Sequence, residues 1–132
     1  MGKPTKEDAS LIVQIFGIGA NDEKFQIASN WFTLEMNETN YDDFKQKYPP
    51  GSDGYTNFMK ISSYGELIGV LVNREALNED LVFEMWGDMM WDKLKPIVYG
   101  LRKDLGIPRF LENFEAFVIR YPKWVENNPV KV

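Results

Sequence analysis

Apolar and polar residues alternate along this chain with a helical rather than an extended period. The clearest case is Tyr55 to Leu81, YTNFMKISSYGELIGVLVNREALNEDL. Phe58, Ile61, Gly65, Ile68 and Val72 form one stripe of a long helix. Tyr64, Leu67 and Leu71 form a second stripe. A soluble helix that is apolar on nearly every side needs cover from other helices, so this segment reads as the central strut of an all-helical domain.

The flanking segments give the same period, punctuated by caps. Thr5 with Asp8 reads as a capping box, with Asp in place of the usual Glu. It opens a helix carrying Leu11, Ile12, Ile15 and Phe16, which Gly17 and Gly19 are expected to end. Asn21 is the expected cap of a second helix, with Phe25, Ala28, Trp31 and Phe32 at helical spacing. Asn40 opens a short helix over 41–47. Tyr48-Pro49-Pro50-Gly51 is a turn, because proline lacks an amide donor and extends the residue before it. Ser52 caps the central helix.

Asn78 caps the next helix, where Glu79 and Asp80 favour the positive helix end. Its buried side is expected to run through Leu81, Val82, Met85, Trp86 and Met89. Pro96 predicts a kink near 92–95 or two abutting helices. Leu94, Ile97, Val98, Leu101 and Leu105 then repeat up to Gly106, and Pro108 suits the first turn of the last helix. Phe110, Leu111, Phe114, Phe117 and Val118 are its inward face. Pro122 is expected to stop it. No stretch alternates with period two long enough to read as a strand. The expected fold is all-α: one domain over 1–132, six or seven helices around a glycine-containing central helix, a core over 5–121 and a C-terminal tail over 122–132.

Composition narrows the function classes. The 132 residues are 44% hydrophobic and 14% aromatic, enough for an independent core. Asp and Glu outnumber Lys and Arg 20 to 15, the net charge is −5, and the basic residues are scattered. That argues against nucleic acid, whose binders show a basic face. With no cysteine and no histidine there is no disulfide framework, thiol catalysis or thiolate metal site. The start, MGKPTKED, lacks the apolar run of a signal peptide and has Lys6 where myristoylation needs Ser or Thr. No stretch is long and apolar enough for a membrane span. The expected setting is the cytoplasm, without membrane insertion. Asn37-Glu38-Thr39 matches a glycosylation acceptor by chance on this reading.

Three blocks carry a resemblance: YDDFKQKYPPGS at 41–52, the Gly-Glu-Leu-Ile-Gly block with DLVFEMW at 55–86, and WDKLKPIVYGLRKDLGIPRFLENFEAF at 91–117. Together they resemble a prokaryotic family of small helical domains of unknown function, some of whose members follow membrane-spanning segments. The resemblance implies an all-helical fold and a role near membranes or in a regulatory assembly. It carries no catalytic residues across.

Four features invite a functional reading. Gly65 and Gly69, with Ser62 one turn earlier, make a smooth groove on the central helix. Interior glycine costs about 1 kcal/mol relative to alanine, so something must compensate. Close packing inside the domain is the plainer reading; a self-association face or a small ligand cleft is the sharper one. Glu66 sits between those glycines, and Arg74, Arg102 or Arg109 could pair with it. A structural or rim carboxylate is the plain reading, a functional one in a pocket the alternative.

Glu84, Asp88 and Asp92 recur every four residues, which on a helix is one acidic face. Oxygen ligands suit Mg²⁺ or Ca²⁺, but a solvated face explains the spacing without a metal, and no cofactor is expected. The run Trp86-Gly87-Asp88-Met89-Met90-Trp91 cannot bury every large side chain, so Trp86, Met90 or Trp91 is a candidate contact for a protein partner or a second copy. The sequence thus favours a non-enzymatic interaction or regulatory module. A small-molecule-binding protein or carboxylate-dependent enzyme with a pocket near Glu66 is the alternative.

Overall fold

The computed structural model describes residues 2–132. Every regular element among them is helical. In chain order they are α1 (Lys6–Asn21), α2 (Glu23–Asn30), a π-helical turn (Trp31–Glu35), α3 (Tyr41–Lys47), α4 (Asp53–Asn73), α5 (Glu79–Trp86), α6 (Trp91–Leu105), α7 (Glu112–Val118) and α8 (Tyr121–Asn127). One hydrophobic cluster joins α1, the π turn and α3 to α8, with Phe44, Phe58, Phe114 and Phe117 among its largest fully buried side chains.

Local chemistry sets most helix starts. Thr5 and Asp8 form a reciprocal capping box on α1. Asn40, Ser52 and Asn78 each accept a backbone N–H from the first turn of α3, α4 and α5. Asp22, rather than the expected Asn21, caps α2 by accepting from the amides of Lys24 and Phe25. Gly17 and Gly19 do not end α1, which runs through both to Asn21. Gly19 is buried there, and a β-carbon on it would lie 3.1 Å from the Phe25 ring. The missing side chain makes room for a neighbour rather than ending the helix.

The central helix α4 is the strut. Phe58, Ser62, Gly65, Ile68, Gly69 and Val72 are its buried face. Its cover is incomplete, since Leu67 is 42% exposed. This helix packs against α7, α2 and the π turn. In that turn the Met36 amide reaches back five residues to the Trp31 carbonyl, 2.9 Å. The extra residue shifts the carbonyl pattern, and the Lys93 ammonium donates to the Phe32 carbonyl from α6.

The contact of α3 with α6 has its own glycine, Gly100, where a β-carbon would fall 2.1 Å from the Tyr41 ring. The Tyr41 hydroxyl donates to Asp104 at 2.6 Å, and burial with that carboxylate pushes the phenol up to about 12.

Three prolines do not mark the helix boundaries expected of them. Pro96 lies within a single helix, α6. The chain breaks earlier, at 87–90, where Gly87, Met89 and Met90 all take positive φ (60°, 53° and 60°). Pro108 falls in a turn, and α7 starts only at Glu112. Pro122 begins α8 instead of ending a helix, because its missing amide is harmless in a first turn. Trp124 on α8 then docks, donating from Nε1 to Asp80 at 2.9 Å. Met85, expected on the buried side of α5, is exposed, and Phe83 takes that place.

Candidate functional site

The Gly65–Gly69 face is filled from within. A β-carbon on Gly65 would lie 2.1 Å from the Phe114 ring, and one on Gly69 would lie 2.6 Å from the backbone of Asn113. The absent side chains let α7 lie directly on α4.

Glu66 fastens that contact. One carboxylate oxygen accepts the Phe114 amide and the other the Asn113 side-chain amide, both at 2.9 Å. The residue before α7, Leu111, is left-handed (φ 57°) and offers no side-chain cap. Glu66 therefore caps α7 from another helix, satisfying an amide that has no partner within α7. None of Arg74, Arg102 and Arg109 pairs with it. Arg102 pairs with Glu115 at 2.8 Å and Arg109 with Glu112 at 2.9 Å. Nearby, Asn73 donates to the Asn113 carbonyl and accepts from Arg120, which also holds Glu79. Glu66→Ala is expected to lower stability by about 1–3 kcal/mol through the stranded amide, measured by denaturant melts; an unchanged midpoint would show that Glu66 does not hold α7.

The acidic series does not share a helix face. Glu84 is on α5, Asp88 in the turn and Asp92 on α6. The Asp88 carboxylate accepts the Met90 amide, 3.2 Å, and so closes the turn. Among the described residues no group of three or more carboxylates is placed to hold a metal ion.

The run from Trp86 to Trp91 splits between core and surface. Trp91 is 5% exposed and packs on Phe114, ring centroids 5.3 Å apart. Trp86 and Met90 instead line a cavity of about 340 Å³. Its floor is Gly65 and Phe114. Phe16 and Ala20 of α1 form one wall, Phe25 and Ser29 of α2 and Phe32 and Thr33 of the π turn another. Ile61 and Tyr64 of α4 complete it. Phe16 is 49% exposed and Met90 45%, so both stand at its mouth.

Three features meet at this cavity. None of its lining residues carries a charge. The π turn forms part of its wall, and such turns are frequent at functional sites. Met89 and Met90 hold left-handed conformations that cost a non-glycine residue about 1 kcal/mol or more each. The Tyr64 hydroxyl is already engaged, donating to the Ile15 carbonyl at 2.7 Å, and burial raises its pKa.

The structure thus brings Gly65, Trp86 and Met90 to one cavity. It puts Glu66 and Gly69 at the helix contact and Trp91 in the core. Ser29, Thr33, Phe16 and Phe114 belong to the cavity, yet nothing in their spacing separates them from core positions. The one available signal is Ser29 and Thr33, hydroxyls one turn apart beside an aromatic stripe.

The chain matches a family described as Domain of unknown function (DUF4760) over residues 4–121. It belongs to that family. No curated protein and no solved structure matches it. Among the described residues no helix is long and apolar enough to cross a membrane.

Proposed function

We propose that the domain is a non-enzymatic recognition module, and that the cavity beneath Phe16 and Met90 receives an apolar group. The observation that carries this is the uncharged lining. General acid–base or nucleophilic chemistry needs a titratable or activated group facing the substrate. The titratable lining residue, Tyr64, is neutral and already hydrogen-bonded. The displaced carboxylates and phenol of Asp104, Glu115 and Tyr41 lie away from this cavity and serve helix contacts. An apolar concavity of this size is what a small apolar group fits. The Gly65–Gly69 face, covered by α7, lends no support to self-association there. The missing cysteines support a cytoplasmic setting on the same reading.

A titration with Nile red, an uncharged apolar dye, tests the proposal. Saturable binding is expected, and Ala20→Trp should abolish it by filling the cavity from an exposed position on α1. An absence of saturable binding, or binding undiminished in a folded Ala20→Trp protein, would reject it.

A further inference from the structure

The chemistry of the walls narrows the occupant, given the reading of the cavity as a binding site. We propose that it takes a small, uncharged ring compound bearing one hydroxyl or carbonyl group, held by Ser29 and Thr33.

The charge argument comes first. An anionic headgroup would enter unpaired, at a cost of several kcal/mol. The half-buried Lys60 of α4 pairs with Asp22 at 3.0 Å, and Lys93 of α6, although bonded to the π turn, does not line the cavity. Lys93 is spent on the Phe32 carbonyl, lies 4.7 Å from the Phe32 ring centroid, and faces a separate cavity beside Met36 and Glu38. A cationic ligand meets no carboxylate in the lining either. Neutral ligands remain.

The shape of the walls favours rings. Phe25 and Tyr64 already pack at 4.6 Å between centroids, tilted by 49°. A flat ring entering between them, Phe32 and Trp86 finds edge and face partners at once. Met89 and Met90 are unbranched and polarizable, suited to closing over a ring. A space of about 340 Å³ admits a ring system but not a partner's helix.

The polar handle is local. Ser29 and Thr33 lie one turn apart, and neither hydroxyl makes a hydrogen bond among the described residues. A hydroxyl both donates and accepts, so the pair serves a ligand hydroxyl or carbonyl equally.

Calorimetric titration of the whole chain with 2-naphthol, naphthalene and 2-naphthoate tests this. The naphthol should bind tightest, naphthalene roughly 3–10-fold more weakly for want of one neutral hydrogen bond, and naphthoate more weakly than either. Ser29→Ala with Thr33→Val should bring the naphthol down to the level of naphthalene and leave naphthalene unchanged. Naphthoate binding as well as naphthol, or naphthol binding untouched by the double substitution, would overturn the ligand class. If Nile red binds and the naphthol does not, the ligand class alone falls. If neither binds, the cavity's role as a binding site falls with it.

Discussion

Gly69→Ala is expected to lower the melting temperature by roughly 6–15 °C, corresponding to a loss of about 2–3 kcal/mol. Helix propensity works the other way, since alanine stabilises an interior helix position by about 1 kcal/mol over glycine. The clash must therefore win. The new methyl would lie 2.6 Å from the carbonyl carbon and oxygen of Asn113 and 2.7 Å from the Phe114 nitrogen. These are backbone atoms, so no rotamer change relieves the contact. Nor can the first turn of α7 swing away cheaply. Its Phe114 amide is held by Glu66, and its Asn113 carbonyl accepts from Asn73 at 2.9 Å. Gly69→Leu should be worse still. Denaturant melts with light scattering give the check: the monomer should lose stability with no change in assembly. A variant as stable as the parent would mean that α7 does not lie on α4 as described.

How far the sequence could be read follows from the range of each interaction. Thr5, Asn40, Ser52 and Asn78 were legible because a cap bonds amides two or three residues away, within one sequence window. Gly106 was legible for the same reason, as a left-handed C-cap. Gly17 and Gly19 were misread because a glycine that ends a helix and one that admits a neighbouring ring look alike in sequence. At Gly19 that ring is Phe25. The break at 87–90 was assigned to Pro96, the residue with the stronger local signal. The left-handed Met89 and Met90 have no such signal, because methionine carries no preference for that conformation.

The site was less legible than the fold. Glu66 reaches partners 47 and 48 positions away, so nothing near it in the chain marks it as a cap. Arginine was the reasonable guess, but a stranded backbone amide also attracts a carboxylate. The cavity is harder again. An aromatic stripe is core if its neighbours fill the space and a pocket wall if they do not. Phe25, Phe32 and Phe114 have the same spacing in either case.

The glycine one turn earlier should behave differently from Gly69, and the contrast tests the packing directly. A methyl on Gly65 meets the Phe114 ring at 2.1 Å, which is side chain rather than backbone. Gly65→Ala alone should lose about 1–3 kcal/mol, since the buried Phe114 must give up its packing on Trp91 to clear the methyl. Phe114→Leu alone should lose about 1–2 kcal/mol from the space it leaves. Together they should lose less than the sum by about 1–2 kcal/mol, because the shorter side chain vacates the volume that the methyl needs. Adding Phe114→Leu to Gly69→Ala should bring no such relief, because there the obstacle is the Asn113 carbonyl. A thermodynamic cycle at each glycine, from denaturant melts, measures both couplings. Equal couplings at the two positions would contradict the separate contacts described here. Gly65 and Phe114 also floor the cavity, so a folded double variant should take up Nile red with altered affinity while the Gly69 variant does not. The two glycines of one helix face would then be told apart by function as well as by stability.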